Sequence, residues 1–360
     1  MSLRTPTSRI EARAIHRPIS RSLRAPLVLL LAALANGGAR AEEARPPGIS
    51  LHLPLACEPG RTCFVQHYVD RDPGPGARDY ACGSRTYDKH NGTDFRVRTG
   101  AEAGGEDGRV LAVAAGRVLR TRSDMADGRV RGSDAAEIKG AECGNGLVIA
   151  HADGWESQYC HMARGSLVVR PGDTVAAGQP LGQVGLSGMT EFPHLHLTLR
   201  HGGQVVDPFA PGSPPDSCDP AAPGRGGTLW EPKAAGALGY QAGSVLNAGF
   251  ADAPVSMESL EAGAPRVPGA ESGALVAYVR AIGLETGDVQ SLVLTDPTGT
   301  VVAQSVQPAL ERPRAQSLLF VGRKRPAEGW SAGAYAARFR VERAGRVALE
   351  KTFSLAPRAP

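Results

Sequence analysis

After residue 41, no stretch of this chain sustains the 3.6-residue apolar repeat of an amphipathic helix. Short runs of Val, Leu and Ala are instead broken every few residues by Gly, Pro, Asn or Asp, with 45 glycines and 28 prolines in 360 residues. A chain punctuated in this way builds its core from strands, and the expected fold class is all-β. Leu147–Ile149 and Trp155–His161 flank Ala152-Asp153-Gly154, a hairpin turn because Gly tolerates positive φ and Asp can bond its own backbone. Residues 211–239, rich in Pro, Gly and Ala, read as a linker tied down by Cys218. Beyond it, short strands at Leu275–Arg280, Ser291–Thr295, Thr300–Gln304, Leu318–Gly322 and Ala334–Glu342 suggest a β-sandwich-like domain over 240–356. In the last of these Tyr335, Ala337, Phe339 and Val341 alternate with charged residues, so one face is buried and the other wet.

The first 41 residues differ in kind. Arg4, Arg9, Arg13, Arg17, Arg21 and Arg24 precede the apolar run Ala25–Ala35, and Ala39-Arg40-Ala41 offers a small-x-small cleavage site. That apolar run is shorter than the roughly 20 residues that span a bilayer, so residues 1–41 read as a signal peptide that leaves no transmembrane segment once removed. The chain is therefore expected outside the cytoplasm, periplasmic or secreted. The signal takes seven arginines and one glutamate out of totals of 40 basic and 36 acidic residues, leaving 33 and 35, a net charge of −2. No basic block of the kind that nucleic acid requires remains, which excludes that partner class. Six cysteines (57, 63, 82, 143, 160, 218), without a CxxC pair, point to disulfides rather than a thiolate metal site. Cys143 and Cys160 lie at one end of the same hairpin and are the expected pair, on the argument that Cys160 points away from the face shared by Ser157, Tyr159 and His161.

Four of the nine histidines stand in contexts that suggest one metal site. His90 and Asp94 lie four apart around Gly92, where a loop entering a strand can turn both toward one point. In Pro193-His194-Leu195-His196-Leu197 the histidines alternate with leucines, so on a strand both imidazoles share a face while the leucines pack behind. Two imidazoles and one carboxylate make a good zinc donor set and leave a fourth tetrahedral position for water, the open coordination of a catalytic centre. His161 closes the strand from Trp155. His52, His67, His151 and His201 show no partner pattern and default to solvated or packed roles.

Taken in order, HNGTD, YCHM and PHLHL resemble the His-x-Gly-x-Asp, Tyr-x-His-Leu and His-x-His motifs of the lysostaphin-like, or LytM-type, zinc metalloendopeptidases. GNGLVIAH, RPGDTVAAGQPLGQVGLSG and VVDP follow the same pattern between and after them. The resemblance spans residues 87–210 and implies a compact antiparallel β metallopeptidase domain with a groove across a sheet. It further implies one Zn2+ per chain on His90, Asp94 and His196, with His161 and His194 as catalytic residues beside the metal water, and hydrolysis of peptidoglycan peptides. Cross-link D,D-endopeptidase activity is favoured. The departures are Phe95, Met162 in place of a leucine, an insertion over 123–142 that could wall the groove, and a cysteine-containing segment over 42–86 that could cap it. Two rivals stand beside this reading. The 171–185 stretch also resembles a biotinyl or lipoyl carrier hairpin, yet its turn, Gly185–Met189, has no lysine. A non-catalytic wall-binding activator of other hydrolases would lack part of the His/Asp set, whereas here all five positions are filled.

Overall fold

The computed structural model describes residues 48–130, 138–214, 217–218 and 227–355, so the expected signal peptide lies outside the described residues. Among the described residues strands dominate and the helices are short, the first being α1 (Gly100–Ala103). The principal sheet is antiparallel throughout. From one edge to the other its strands are β1 (Cys63–His67), β2 (Thr93–Val97), β9 (Leu195–His201), β6 (Trp155–Met162), β5 (Asn145–Ala150), β4 (Gly116–Arg122) and β7 (Thr174–Val175), with β10 (Gln204–Val205) paired to β9. A ribbon of β3 (Arg109–Leu111) and β8 (Pro180–Gln183) packs beside it.

Strand alternation sets the two faces. Leu195, Leu197 and Leu199 of β9 join Phe95, Leu147, Ile149, Trp155 and Tyr159 in one core, all at most 2% exposed. The Tyr159 hydroxyl accepts the Val113 amide at 2.8 Å, so the buried phenol keeps a partner. The Ala152–Gly154 turn forms as the sequence suggested, with Asp153 and Gly154 at φ 55° and 77°. Phe95 and Met162 are both core residues, Phe95 against the Trp230 indole.

Three disulfides join Cys57 to Cys63, Cys82 to Cys218 and Cys143 to Cys160. The Cys143–Cys160 pairing is the expected one, but the side chains do not face as the alternation argument had it. Cys160 lies directly across from His196 and Gln158 across from Thr198, whereas Tyr159 faces Leu197. Cys160 is therefore on the histidine side of the sheet, and His161 on an unbroken strand would point into the core. An irregularity in the β5–β6 register and a left-handed His161 (φ 62°) turn its ring back to the Cys160 side.

Within the stretch read as a linker, Leu229, Trp230, Ala234 and Leu238 are buried in the main core. α2 (Pro232–Ala237) carries Ala234, and Leu51 is bonded to Leu229 and Glu231. The N-terminal segment is likewise structural, since Leu51 and Leu55 belong to that core and β1 extends the sheet.

The C-terminal region is a sandwich of two antiparallel sheets. One has the order β11 (Ser244–Ala251), β12 (Ala274–Leu284), β15 (Arg314–Lys324); the other β14 (Val301–Val306), β13 (Val289–Thr295), β16 (Tyr335–Arg343), β17 (Arg346–Leu355). Their facing sides share a core of Leu275, Ala277, Val279, Leu292, Phe339 and Val341. All five strands expected there are present, and β11 and β17 complete the sheets.

The sandwich meets the principal sheet through buried polar contacts. Glu261, at the end of α3 (Met257–Glu261), takes Arg96 of β2 at 2.8 Å and Arg280 of β12 at 2.5 Å on one carboxylate oxygen, while the other accepts the Gly100 amide at 2.7 Å. Arg280 also donates to the Arg98 carbonyl. Arg96 and Arg280 are completely buried, and burial pulls the Arg96 pKa down to about 10 against the opposing pull of Glu261.

Candidate metal centre

The local sequence explains how the side chains converge. β2 pairs with β9 so that Asp94 lies directly across from His196. His90 reaches the same point from the loop before β2, which can pass over His196 because residue 92 is glycine. A Cβ there would sit 2.6 Å from His196 Nε2 and 2.7 Å from the Leu197 carbonyl.

His196 Nδ1 lies 2.8 Å from Asp94 Oδ1, and His90 Nε2 lies 3.1 Å from both. The hydrogen-bond network assigns the imidazole protons elsewhere. His90 Nδ1 is 2.6 Å from the Tyr68 carbonyl, which only accepts, so the hydrogen is on that nitrogen. His196 Nε2 is held by Asn91 Oδ1 at 3.1 Å and Thr198 Oγ1 at 3.0 Å. One ring nitrogen of each histidine and Asp94 Oδ1 are thereby brought to one buried point. Their spacing approaches the edge of a tetrahedron with bonds of about 2.0–2.1 Å, the length zinc makes to imidazole and carboxylate. The outer bonds to Tyr68, Asn91 and Thr198 are of the kind that orients ligating histidines. The donor set fits zinc.

The surroundings carry matching electrostatics. Burial works against ionisation of Asp94, yet His90, His194 and His196 outweigh it and hold its pKa well below the usual range. For His90 burial is likewise outweighed, by the Asp94 carboxylate, and its pKa is raised.

His161 and His194 flank the cluster, with their rings 4.7 Å apart and His161 6.0 Å from the His196 ring. His161 Nδ1 donates to the Ser187 carbonyl at 2.8 Å, and His194 Nδ1 to the Phe192 carbonyl at 2.9 Å. Both therefore keep Nε2 as the available nitrogen, and His194 Nε2 is 3.5 Å from Asp94 Oδ1. Burial, with His194 and His196 nearby, pushes His161 well below its normal pKa, so its ring is neutral. The Gly185–Gly188 turn supplies the Ser187 carbonyl, and the Ser187 hydroxyl accepts from the Asn145 amide and donates to Met162.

All five residues singled out in the sequence are thus brought to one place. A cavity of about 500 Å3 opens over Asp94, His161 and His194, bounded by Thr86 and Tyr87 of the N-terminal segment, Val130 of the insertion, Met189 and Phe192 of the loop before His194, and Pro313 and Ala315 of the sandwich. Backbone bonds join the described part of the insertion to that loop, Gly128 to Leu186 and Val130 to Thr190. One residue of the site has no signal in the sequence. His67 of β1 lies 2.9 Å from Asp94 Oδ2 and lines the cavity. Its motif context was blank because its partner is reached only by cross-strand pairing.

Among known proteins, residues 88–208 match the profile of peptidase family M23. The chain is similar to the cell division protein DipM of Caulobacter vibrioides, 35% identical over 71 residues, or 20% of this chain and 11% of that protein. It is also similar to the DD-carboxypeptidase/endopeptidase Mpg of Neisseria meningitidis serogroup B, 37% identical over 67 residues, or 19% of this chain and 15% of that protein. The matched stretch is thus a small part of either relative's length. Among solved structures, the catalytic domain of the prophage-encoded M23 protein EnpA from Enterococcus faecalis aligns with a TM-score of 0.30 at 24% identity, covering 47% of this chain and 96% of that one. The stretch that matches peptidase family M23, residues 88–208, is the part of the chain that holds His90, Asp94, His161, His194 and His196.

Proposed function

We propose that the protein is an exported, zinc-dependent endopeptidase that hydrolyses peptide bonds of peptidoglycan, with D,D cross-links as the favoured bond. The observation that carries this reading is the convergence of three ligand atoms from His90, Asp94 and His196 beside two histidines that each keep Nε2 available. Three disulfides support export to an oxidising compartment. The relative named as a DD-carboxypeptidase/endopeptidase supports the D,D preference. No helix among the described residues is long and apolar enough to cross a membrane.

Bound zinc supplies Lewis-acid polarisation of the scissile carbonyl and lowers the pKa of water from about 15.7 toward about 7. The chain's residues do the rest. His161 and His194, each holding its Nδ1–H on a backbone carbonyl, divide two tasks through Nε2: one takes a proton from the attacking water, and the other, when it carries a proton on Nε2, donates to the oxyanion on the former carbonyl oxygen. The Ser187 and Phe192 carbonyls hold these rings so that little reorganisation is needed during reaction. Buried surroundings strengthen both interactions by excluding water.

The test is mass spectrometry of fragments released from purified cross-linked peptidoglycan, with and without a zinc chelator. Chelator-sensitive loss of cross-linked dimers is the expected result and names the bond; unchanged dimers with folded, zinc-loaded protein would overturn the proposal.

A further inference from the structure

His67 lies outside residues 88–208 and outside every motif that carries the family resemblance. It comes from β1, which pairs with β2, and the register explains why it meets the site. Val65 faces Phe95, so an uninterrupted ladder would place Gln66 opposite Asp94 and His67 opposite Thr93. A bulge between Val65 and His67 brings His67 opposite Asp94 instead. Gln66, the extra residue, is anchored elsewhere: its amide donates to the Ala315 carbonyl at 2.8 Å and its oxygen accepts Arg96 at 3.3 Å. The bulge is therefore pinned from the sandwich, and the ring it re-aims is pinned at the site.

At that site the two oxygens of Asp94 have separate partners. Oδ1 faces His90 Nε2 and His196 Nδ1, while Oδ2 lies 2.9 Å from His67 Nδ1. A carboxylate only accepts, so His67 donates from Nδ1. The two side chains are 10% and 2% exposed, which shields the bond from competing water. Tyr87 at 5.4 Å and His90 at 5.8 Å, both edge-on, and Phe192 at 6.4 Å fix the ring plane.

We propose that His67 is a positioning residue of the metal centre, which holds Asp94 Oδ2 so that Oδ1 alone is presented to the metal with the two ligating nitrogens. The inference rests on the metallopeptidase reading of the same site. It also assigns a task to the segment before residues 88–208, which supplies an outer support to Asp94 from beyond that stretch.

The test is zinc affinity of the full chain, measured by competition with a chromophoric chelator, for wild type, His67→Ala, His67→Asn and His67→Gln. Loss of a hydrogen bond that orients a ligand weakens metal binding about 10–100-fold, and that loss is expected for His67→Ala. Asn places its amide N–H near the position of Nδ1, whereas Gln places it near Nε2. Restoration to within about threefold of wild type is therefore expected for Asn and not for Gln, by analogy with the same outer-support effect. Circular dichroism melts show whether the Asn and Gln variants are equally folded, so a difference between them reports position rather than bulk. Wild-type affinity in His67→Ala, or equal rescue by Gln, would overturn the inference while leaving the metal reading intact. If the alanine variant does not fold, the Asn/Gln contrast decides alone. A wild-type chain that binds no zinc would overturn the metal reading and this inference together.

Discussion

Replacing Glu261 with Ala removes the one carboxylate that both Arg96 and Arg280 reach, at 2.8 and 2.5 Å, and the acceptor of the Gly100 amide at 2.7 Å. Both guanidinium groups are completely buried and would be left without their anion. Breaking a buried ion pair from one side costs about 3–5 kcal/mol, and an unsatisfied buried amide adds about 1–3 kcal/mol, so with partial relaxation the loss is on the order of 5 kcal/mol. That is a large share of the roughly 5–15 kcal/mol by which a folded domain is stable. Glu261→Gln keeps one acceptor oxygen but no charge and should lose about half as much by the same reasoning. The assay is equilibrium urea denaturation of the full chain, followed by tryptophan fluorescence. The Arg96 guanidinium lies 4.6 Å over the Phe192 ring, which in turn packs 4.7 Å from the His194 ring, so the alanine variant should also reduce turnover at temperatures where it remains folded. A loss below about 1 kcal/mol would refute the view that this cluster locks the sandwich to β2, since that is the range of an exposed ion pair.

Other outcomes follow from the same geometry. His90→Ala and His196→Ala should bind well below one zinc per chain by atomic absorption, whereas His161→Ala and His194→Ala should keep zinc and lose turnover; retained activity in His161→Ala would refute its role. Ala315→Trp, at an exposed position on the cavity wall, should leave stability and zinc content unchanged and cut kcat/KM on cross-linked muropeptides at least about tenfold, as expected of lost positioning; unaltered kinetics would remove the sandwich from the substrate groove. Burial raises Asp207 to about 6 against the Phe209 amide and Arg71, from 3.8. A raised folded pKa contributes stability that is full below the unfolded value and lost as pH rises through about 6. Asp207→Asn should thus gain on wild type by up to about 3 kcal/mol between pH 4 and 7, as 1.36 kcal/mol per pKa unit requires. A stability difference that does not vary over that window would contradict the sign.

Much of the molecule was legible in its order of residues. Apolar runs without helical period, and the alternation in Tyr335–Glu342, dictate an all-β chain because side-chain direction in a strand follows local parity. HNGTD and PHLHL fix their own donors, since the spacing within a loop or strand is short-range, and Gly92 records the close approach to His196. The Cys143–Cys160 bridge was also within reach of sequence reasoning, although the parity argument offered for it was not sound.

What the sequence left open is what depends on pairing between distant strands. The turned-back His161 requires a left-handed residue and a register irregularity that no local composition announces. His67 looked like a solitary histidine until a bulge on β1 set it opposite Asp94, 27 positions away. Pro313 and Ala315 became part of the groove because Glu261 draws two buried arginines together across more than 160 positions of chain. Local propensity therefore determined the strands and the candidate ligand motifs, while register, bulges and buried charge determined which distant side chains meet at the candidate metal centre. Those contacts form only when separate strands close on one another, and their free energy belongs to the assembled core rather than to any segment of it.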